Sequence, residues 1–499
     1  MQIIKALIAL TAIAFLFFLS SCRDSALYSE AEGSAAGDYS CKDCNLIIVS
    51  MTNVRADHLG YNDYFRDTTP NIDRFAAGSL IFDNAFSHAS WTLPAGNSLF
   101  TSTYPFTHKV MDRWAYINNA NQTRFPQALG YEIMSLPEIL KPHGYVTAAF
   151  TGGFDYDGRH GLVSRFDYAI YPEYNLERPA RYGTFDQNLK SVKKWLRDNK
   201  DRKFFLFFQG FNAHCPYTYP VENDVFDSEY RGSVDFSKCL WTFDRVMPVM
   251  INNKTYYNLR MPYSDEAGFG ASVRVDERDI YHMVALYDGE IQLVDKLLKD
   301  FFDEITKLSL EKNTIIVLVS EHGDMFGKHG RFMRGGPLRG TFYDDVLKVP
   351  LIIKHPSLEP KKIKDLVQLI DVAPTLLDFL GIPKASDFEG KSLLPLIMEN
   401  KTVNDFVLAG SMFTPSSTNE FFDVQSIVTA IRTNEHKLIN EKLFDANLTL
   451  TIDSYEFYNL SSDPEELTNI YSSADSALLI ELKEKLSSFE LKIGNDKFK

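Results

Sequence analysis

The 499-residue chain has few cysteines, a deficit of positive charge and no long apolar segment. Its net charge of −14 argues against free nucleic acid as a partner, because a polyanion binds to basic surfaces. The longest apolar run, ALIALTAIAFLFFL, has 14 residues, which is too short for an ordinary transmembrane helix. With 45% hydrophobic and 24% charged residues, the composition instead fits a folded globular protein with a large core.

The apolar run belongs to a predicted lipoprotein signal peptide over residues 1–22. LSSC follows the run and ends at Cys22. This ending resembles a bacterial lipobox, in which the cysteine carries the lipid; the alternatives are a simple signal peptide or a short membrane anchor. Residues 23–44 are small and polar, which predicts a flexible tether. Because Arg23 does not resemble an inner-membrane retention signal, we expect an envelope lipoprotein held in the outer membrane, facing the periplasm or the cell surface.

The other cysteines are Cys41, Cys44, Cys215 and Cys239. An exported protein meets an oxidising compartment, so disulfides are expected. Cys41 and Cys44 form a single C-x-x-C motif with no second pair at zinc-ribbon spacing. A strand pattern rather than a helix start follows the motif, which argues against a redox role. A local disulfide or a pair of free thiols is the favoured interpretation.

Short apolar runs alternate with amphipathic segments along most of the chain. Strands are predicted at NLIIVS (45–50), KFFLFFQ (203–209) and TIIVLVS (314–320), and a long helix at 276–308. Further helix starts are predicted at two capping boxes, Ser135 with Glu138 and Thr184 with Gln187, and at Pro94 with the small residues that follow it. This alternation predicts an α/β fold, with a mostly parallel central sheet sandwiched by helices. Residues 401–499 change to antiparallel strand patterns and a final amphipathic helix, which predicts a smaller C-terminal α+β subdomain.

Polar residues follow three of the predicted strands, where ligand sites of parallel sheets lie. Thr52 and Asn53 follow the first strand, His214 follows KFFLFFQ, and Glu321 and His322 follow TIIVLVS. Chance would place one such cluster at a strand end, whereas three favour a functional site. The irregular, aromatic stretch from about 215 to 275 is expected to contribute loops to the pocket wall.

Five ordered segments resemble the sulfatase branch of the alkaline phosphatase superfamily: NLIIVSMTNVRADHLG, TPNIDRFAAGSLIFDNAFSHASWTLPAGNSLFTSTYP, NAHCPY, SEHGDMFGKHG and FYDDVLKVPLII. EFYNLSSDPEELTNI resembles that family's C-terminal subdomain. The resemblance implies an alkaline phosphatase-like catalytic domain over residues 45–400 and an anionic ester as substrate, carried by an envelope glycan or lipid. It does not by itself separate sulfate esters from phosphate esters, or hydrolysis from transfer.

The nucleophile position departs from the family pattern. The family's sulfatases carry Cys or Ser, then any residue, then Pro-Ser-Arg; here Thr92 takes the first position, Pro94 is kept and Gly96 replaces the Arg. No formylglycine is expected, because threonine is not a known precursor of it in this family. Thr92 resembles the hydroxyl nucleophile of the phosphotransferase relatives. It would lie at a helix start, where an anion is favoured, although capping the helix is an alternative role.

The metal-ligand positions also differ. Where the family carries an Asp pair, this chain has Thr52 and Asn53. The resemblance implies one divalent ion bound by Asn53, Thr92, Glu321 and His322. The imidazole favours Zn or Mn over Ca or Mg. Since these residues supply one carboxylate, weakened metal affinity is expected.

The resemblance also implies roles for two further residues. His214 matches a histidine that contacts the leaving group or the transferred anion, and Arg339 matches a lysine that binds anionic oxygens, which an arginine can do bidentately. A structural histidine and a surface arginine are the alternatives. Arg55 and Asp57 are interpreted as an internal ion pair, and His329 as no more than a neighbour of the site.

Three functions are therefore considered. The preferred one is an envelope-anchored, metal-dependent enzyme that hydrolyses or transfers a phosphate-type ester through Thr92. The second is a sulfuric ester hydrolase. The third is a catalytically degenerate protein that binds a glycan or an envelope partner.

Overall fold

The computed structural model describes residues 39–116, 124–153, 155–171, 183–217, 226–235, 247–252, 254–260, 272–333, 341–413, 425–445, 447 and 449–493. The predicted signal peptide with Cys22, and the predicted substrate-binding residue Arg339, lie outside these ranges. The strands are β1 (Asn45–Met51), β2 (Leu80–Phe86), β3 (Trp114–Tyr116), β4 (Arg124–Pro126), β5 (Val146–Phe150), β6 (Tyr168–Ile170), β7 (Phe204–Gly210), β8 (Val249–Ile251), β9 (Lys254–Arg260), β10 (Ser272–Asp276), β11 (Thr314–Val319), β12 (Lys348–Val349), β13 (Leu351–Lys354), β14 (Lys361–Gln368), β15 (Phe406–Phe413), β16 (Gln425–Thr433), β17 (His436–Phe444) and β18 (Leu450–Asn459).

The helices lie between these strands over most of the chain. They are α1 (Pro70–Ala77), α2 (Thr92–Thr101), α3 (Pro105–His108), α4 (Leu136–Leu140), α5 (Phe185–Asn199), α6 (Glu277–Lys307), α7 (Asp344–Leu347), α8 (Val372–Leu380), α9 (Leu394–Glu399) and α10 (Ser476–Glu490). Several ends follow from local chemistry. Ser135 and Glu138 form the predicted capping box of α4, and Thr184 and Gln187 form that of α5.

A mixed central sheet organises the larger part of the molecule. Its strand order is β12-β2-β13-β11-β1-β7-β5-β6, with β14 beside β2. β1 is parallel to both β11 and β7, and β5 is parallel to β7 and β6. The antiparallel pairs are confined to the side that holds β13, β2 and β12. The predicted α/β class with a mostly parallel sheet is confirmed.

Both faces of this sheet are buried, as its continuous apolar strands require. Side chains of β1 alternate between two cores: Leu46 and Ile48 enter the core that contains α2, α4 and α8. Ile47 and Val49 enter the opposite core, which contains α1, α5 and α6. Each such aliphatic side chain contributes about 1.5–3 kcal/mol of burial free energy. The two helical layers therefore fix β1 at the centre, and with it the position of the residues that follow β1.

The C-terminal part forms a smaller antiparallel sheet in the order β15-β16-β17-β18. One face packs against α10 through Leu482, Leu486 and Phe489. The other face contributes Val407 and Val428 to a core shared with residues of the central unit. The predicted antiparallel sheet and final helix are confirmed; the predicted boundary at residue 400 stays a prediction, as do the limits of the tether.

The structure also bears on the predictions for the cysteines and for the stretch from 215 to 275. Cys41 and Cys44 form the local disulfide that was one of the two predicted outcomes, and Cys215 is disulfide-bonded as well. The stretch from 215 to 275 is not wholly irregular, because β8, β9 and β10 form a three-stranded antiparallel sheet. β8 has only three residues and β9, KTYYNLR, does not alternate strictly between apolar and polar residues, so neither shows a clear strand period. Among the described residues, no helix is both long and apolar enough to cross a membrane.

A buried ion triad joins the two parts of the chain. Lys437 on β17 is fully buried and pairs with Asp344 at the start of α7 and, at 2.7 Å, with Glu466. The backbone N–H of Asp344 also donates to Glu466 at 2.6 Å. Burial and the charge of Asp344 hold the pKa of Glu466 at about 7 even with the ammonium beside it. Lys437 thus offsets the charge of the buried Glu466 and shares the partly buried Asp344 with Arg432, which lies 3.4 Å from it.

We predict that Lys437→Met lowers the free energy of unfolding by about 3–5 kcal/mol, because it leaves the buried carboxylate of Glu466 without its cation and leaves Asp344 with Arg432 alone, at 3.4 Å. Urea denaturation of the purified protein measures this change. Lys194→Met is the control, since Lys194 pairs with Asp198 on the exposed face of α5 and should change stability by less than about 1 kcal/mol. Equal effects of the two substitutions would contradict the structural role of the triad.

Candidate functional site

The predicted site residues lie at the carboxyl ends of three neighbouring parallel strands. Ser50 of β1 pairs with Gln209 of β7 on one side and with Val319 of β11 on the other, so the three strands end at the same level. Thr52 and Asn53 follow β1, His214 follows β7, and Glu321 and His322 follow β11. All are buried: His214 is 8% exposed and the others are fully buried. The sequence therefore placed these residues at the correct edge of the sheet.

Thr92 lies at the first position of α2, which was predicted from Pro94 and the small residues that follow. The helix runs to Thr101, and every side chain in it is buried. A helix start collects free backbone N–H groups and the positive end of the helix dipole. The side chain of Thr92 thus stands where an anion is favoured and water is largely excluded.

Thr92 and His322 form a hydrogen-bonded pair. Thr92 Oγ1 lies 3.0 Å from His322 Nε2, and His322 Nδ1 lies 2.9 Å from the carbonyl oxygen of Gly323. A carbonyl oxygen can only accept, so Nδ1 carries the hydrogen, and in the neutral imidazole Nε2 is then an acceptor. The hydroxyl of Thr92 therefore donates to Nε2. This is the arrangement of a nucleophile and its base.

Glu321 is a fully buried carboxylate surrounded by hydroxyl groups. Tyr156 donates its hydroxyl to Glu321 Oε1 at 3.0 Å, while Oε2 accepts no hydrogen bond from the described residues. Burial raises the pKa of Glu321 above its usual range, and the neighbouring hydroxyls of Ser50, Tyr156 and Thr52 only partly oppose this rise. Thr52 itself accepts a hydrogen bond from the amide of Gln209.

Asn53 connects all three strand ends. Its side-chain nitrogen donates to the carbonyl oxygen of Ala213 at 2.9 Å and to Asp324 Oδ2 at 2.8 Å. Its backbone adopts φ = 72°, a left-handed conformation that asparagine tolerates. The hydroxyl of Tyr287 donates to the backbone carbonyl of Asn53 at 2.7 Å, which fixes that turn.

The remaining predicted residues have clear environments. His214 Nδ1 lies 2.6 Å from the carbonyl oxygen of Cys215, and its ring stacks on Phe211 at 4.0 Å. It is held one residue from the carbonyl that Asn53 binds. Arg55 and Asp57 form the predicted ion pair at 2.6 Å, and Arg55 pairs with Asp345 as well. His329 stacks on Tyr343 at 3.7 Å.

Tyr156 explains the glycine at position 96. A Cβ atom on Gly96 would lie 2.1 Å from the Tyr156 hydroxyl oxygen and 2.7 Å from the adjacent ring carbon. Gly96 is one turn after Thr92 on the same face of α2. The ring of Tyr156 is itself buried against Phe207. The tyrosine therefore fills the space next to the start of α2 and reaches Glu321 from there.

The donor set does not fit a divalent cation. Within the described ranges, no group of three or more His, Cys, Asp or Glu side chains could hold a metal ion. Structural and catalytic zinc sites use three or four such ligands, and manganese, magnesium and calcium need several oxygen ligands with carboxylates among them. Of the four predicted ligands only Glu321 is a carboxylate, and Asn53 turns its nitrogen toward the neighbouring acceptors.

Sequence reasoning missed three residues of the site: Asp324, Tyr156 and Tyr217. Asp324 accepts from Asn53 and, at 2.9 Å, from the hydroxyl of Tyr217. A signal for Asp324 was present, because it stands two residues after His322 in the segment SEHGDMF. No pattern marks Tyr156 or Tyr217, whose contacts join segments more than 100 positions apart along the chain.

The sequence matches known protein families over most of its length. A family model described as Sulfatase matches residues 44–382, and one described as N-sulphoglucosamine sulphohydrolase, C-terminal, matches residues 327–492. Arylsulfatase K of Rattus norvegicus is 25% identical over 426 residues, which cover 80% of this chain and 70% of the relative. These matches confirm the predicted class of sulfatase-superfamily ester hydrolases.

Solved structures share the fold. A phosphonate monoester hydrolase of Agrobacterium radiobacter has a TM-score of 0.65 at 18% identity and covers 90% of this chain and 96% of its own. A structure in complex with its substrate D-glucosamine-2-N,6-O-disulfate also has a TM-score of 0.65 at 18% identity, covering 90% of this chain and 98% of its own. Enzymes of this family generally use a divalent metal ion, in contrast to the donor set described above. Because the Sulfatase match spans more than half of the chain, the protein belongs to the sulfatase family of the alkaline phosphatase superfamily.

Proposed function

We propose that this protein hydrolyses or transfers a phosphate-type ester, with Thr92 as the nucleophile and His322 as its base. One observation carries the proposal: Thr92 Oγ1 is 3.0 Å from His322 Nε2, at the start of a buried helix. The Gly323 carbonyl fixes the tautomer of His322 that can accept the hydroxyl proton. A base in this position raises the nucleophilicity of a hydroxyl that is otherwise weak.

The proposed reaction has two steps. Thr92 Oγ1 attacks phosphorus and its proton passes to His322 Nε2, while the leaving oxygen takes the electron pair of the broken P–O bond. The start of α2 stabilises the negative charge on the non-bridging oxygens. Water then attacks the phosphorus, releasing its proton to solvent, and Thr92 leaves with the proton returned by His322. An alcohol in place of water gives transfer instead of hydrolysis.

His214 and Arg339 keep the roles that the family resemblance implies, as proposals. His214 donates its Nδ1 hydrogen to the Cys215 carbonyl, so it can give a proton to the leaving oxygen from Nε2 only as the imidazolium. Arg339 is proposed to hold the anionic oxygens of the substrate. Anchoring at Cys22 in the bacterial envelope, with a glycan or lipid as the carrier of the ester, is likewise proposed from the sequence alone.

Two other functions have a specific observation in their favour. The name arylsulfatase of a relative supports a sulfuric ester as the substrate. The donor set, with its single carboxylate among the predicted ligands, supports a degenerate protein that binds a ligand without turnover. We rank both lower. An unmodified threonine is not the nucleophile that sulfate cleavage uses in this family, and a degenerate site gives no reason to keep Thr92 and His322 in a reactive pair.

We predict that Thr92→Ala lowers kcat/KM for bis(p-nitrophenyl) phosphate by about 10³-fold or more, because the attacking oxygen is removed. Thr92→Ser should retain activity within about tenfold, since it keeps the hydroxyl. Thr101→Ala is the matched control, because Thr101 is buried in the same helix and donates to Asn97 at 2.7 Å.

Steady-state kinetics on a panel with p-nitrophenyl sulfate included separates the candidates. Retained activity in Thr92→Ala rules out the proposed nucleophile. Faster turnover of the sulfate than of the phosphodiester would favour the sulfuric ester hydrolase, and no turnover of any ester would favour the degenerate protein.

We predict that Gly96→Ala lowers kcat by about 10- to 100-fold, because its Cβ displaces Tyr156 and shifts groups on both sides of the site. Tyr156→Phe, which removes only the hydroxyl bound to Glu321, tests the same contact without the clash. Gly78→Ala serves as control, since its Cβ would meet only the flexible end of Lys354. The role of Tyr156 is refuted if Gly96→Ala and Gly78→Ala have the same kcat.

A further inference from the structure

The side-chain amide of Asn53 joins three loops through its hydrogen bonds. Its nitrogen donates one hydrogen to the Ala213 carbonyl beyond β7 and the other to Asp324 beyond β11. Both partners can only accept, since one is a carbonyl and the other a carboxylate, so the orientation of the amide is fixed by its environment. All three residues are buried, and their hydrogen bonds are therefore shielded from water.

A carboxylate in place of this amide would create a conflict. An aspartate at position 53 would hold an oxygen within about 3 Å of two other acceptors, one of them charged, and a cation or an added proton would be needed to relieve the repulsion. An asparagine relieves it with its own hydrogens and carries no charge. An amide in place of an acid at this position thus replaces a charged metal ligand with a neutral one and removes the repulsion that a metal would relieve.

The other candidate ligands are engaged in the same manner. Thr52 accepts a hydrogen bond from Gln209, Glu321 Oε1 accepts one from Tyr156, and His322 Nε2 accepts one from Thr92. Among the described residues, two buried oxygens of this group remain without a donor: Glu321 Oε2 and Asn53 Oδ1. Two protein oxygens, of which one is charged, are fewer than the three or four protein ligands of a zinc site, and they are a poor match for the larger oxygen shell of calcium.

We propose that the Asn53 amide takes the place of a divalent cation in joining the ends of β1, β7 and β11, so that the site is complete without a bound metal. The inference concerns how the site is held together and does not depend on Thr92 being a nucleophile. It contrasts with the general use of a divalent ion in the family and goes beyond the identity of any substrate.

Metal content and thermal stability of the purified protein test the proposal directly. Separate samples of the protein are dialysed against Zn, Mn, Ca or Mg, and a further sample is dialysed against EDTA. We expect less than about 0.1 ion per chain by inductively coupled plasma mass spectrometry, and the same Tm in all buffers, because a ligand that binds only the folded state would raise Tm. About one ion per chain, with a Tm increase that is lost in Glu321→Gln, overturns the proposal.

Replacement of the neutral amide at position 53 by a carboxylate tests the role of the amide itself. Asn53→Asp should lower Tm in EDTA by about 3 °C or more, since two donors become acceptors beside a buried carboxylate. Asn404→Asp is the matched control for that exchange, because the buried amide of Asn404 also bridges a carboxylate, Asp371 at 2.7 Å, and a carbonyl, Leu366 at 3.4 Å. A Tm of Asn53→Asp in EDTA equal to that of the wild type would overturn the proposal. Activity measurements do not enter either test, so failure of the proposed reaction and failure of this inference are distinguishable.

Discussion

Burial of polar groups at the end of the central sheet is the constraint on which this site depends. The strands β1, β7 and β11 end side by side between two helical layers, so the residues after them cannot be solvated. Each buried donor or acceptor there needs a partner within the protein or in a ligand. Hydrogen bonds of Asn53, Tyr156 and His322 meet most of this need, and they determine what chemistry the edge can support.

Neutral groups make most of the hydrogen bonds that hold this site together. Tyr156 reaches Glu321 across the space that Gly96 leaves open, and Asn53 lies between Ala213 and Asp324. The free-energy cost of burying a neutral donor is lower than that of burying an ion, but a neutral donor stabilises a nearby negative charge less strongly. A site of this kind can orient a hydroxyl and its base without a cation. The charge that develops on a substrate would then be stabilised mainly by the start of α2 and by the substrate-binding residues.

Local chemistry made much of the fold predictable from the sequence. NLIIVS predicted β1, Pro94 and its small neighbours predicted the start of α2, and the capping box at Ser135 predicted α4, because each signal lies within a few residues of its effect. The contacts that decide the site were not predictable in this way. Tyr156 meets Glu321 across 165 positions and Asn53 meets Asp324 across 271, and nothing in either segment specifies its partner.

Mass spectrometry of the acid-quenched reaction is the most direct test of the central claim. The purified protein is mixed with bis(p-nitrophenyl) phosphate, quenched during turnover, and digested. The account predicts an otherwise unmodified threonine at position 92 that carries the transferred phosphoryl group in the wild-type peptide, and no such group in Thr92→Ala. Turnover with the label on another residue, or with no covalent label while the product accumulates in both proteins, would contradict the claim that Thr92 is the nucleophile.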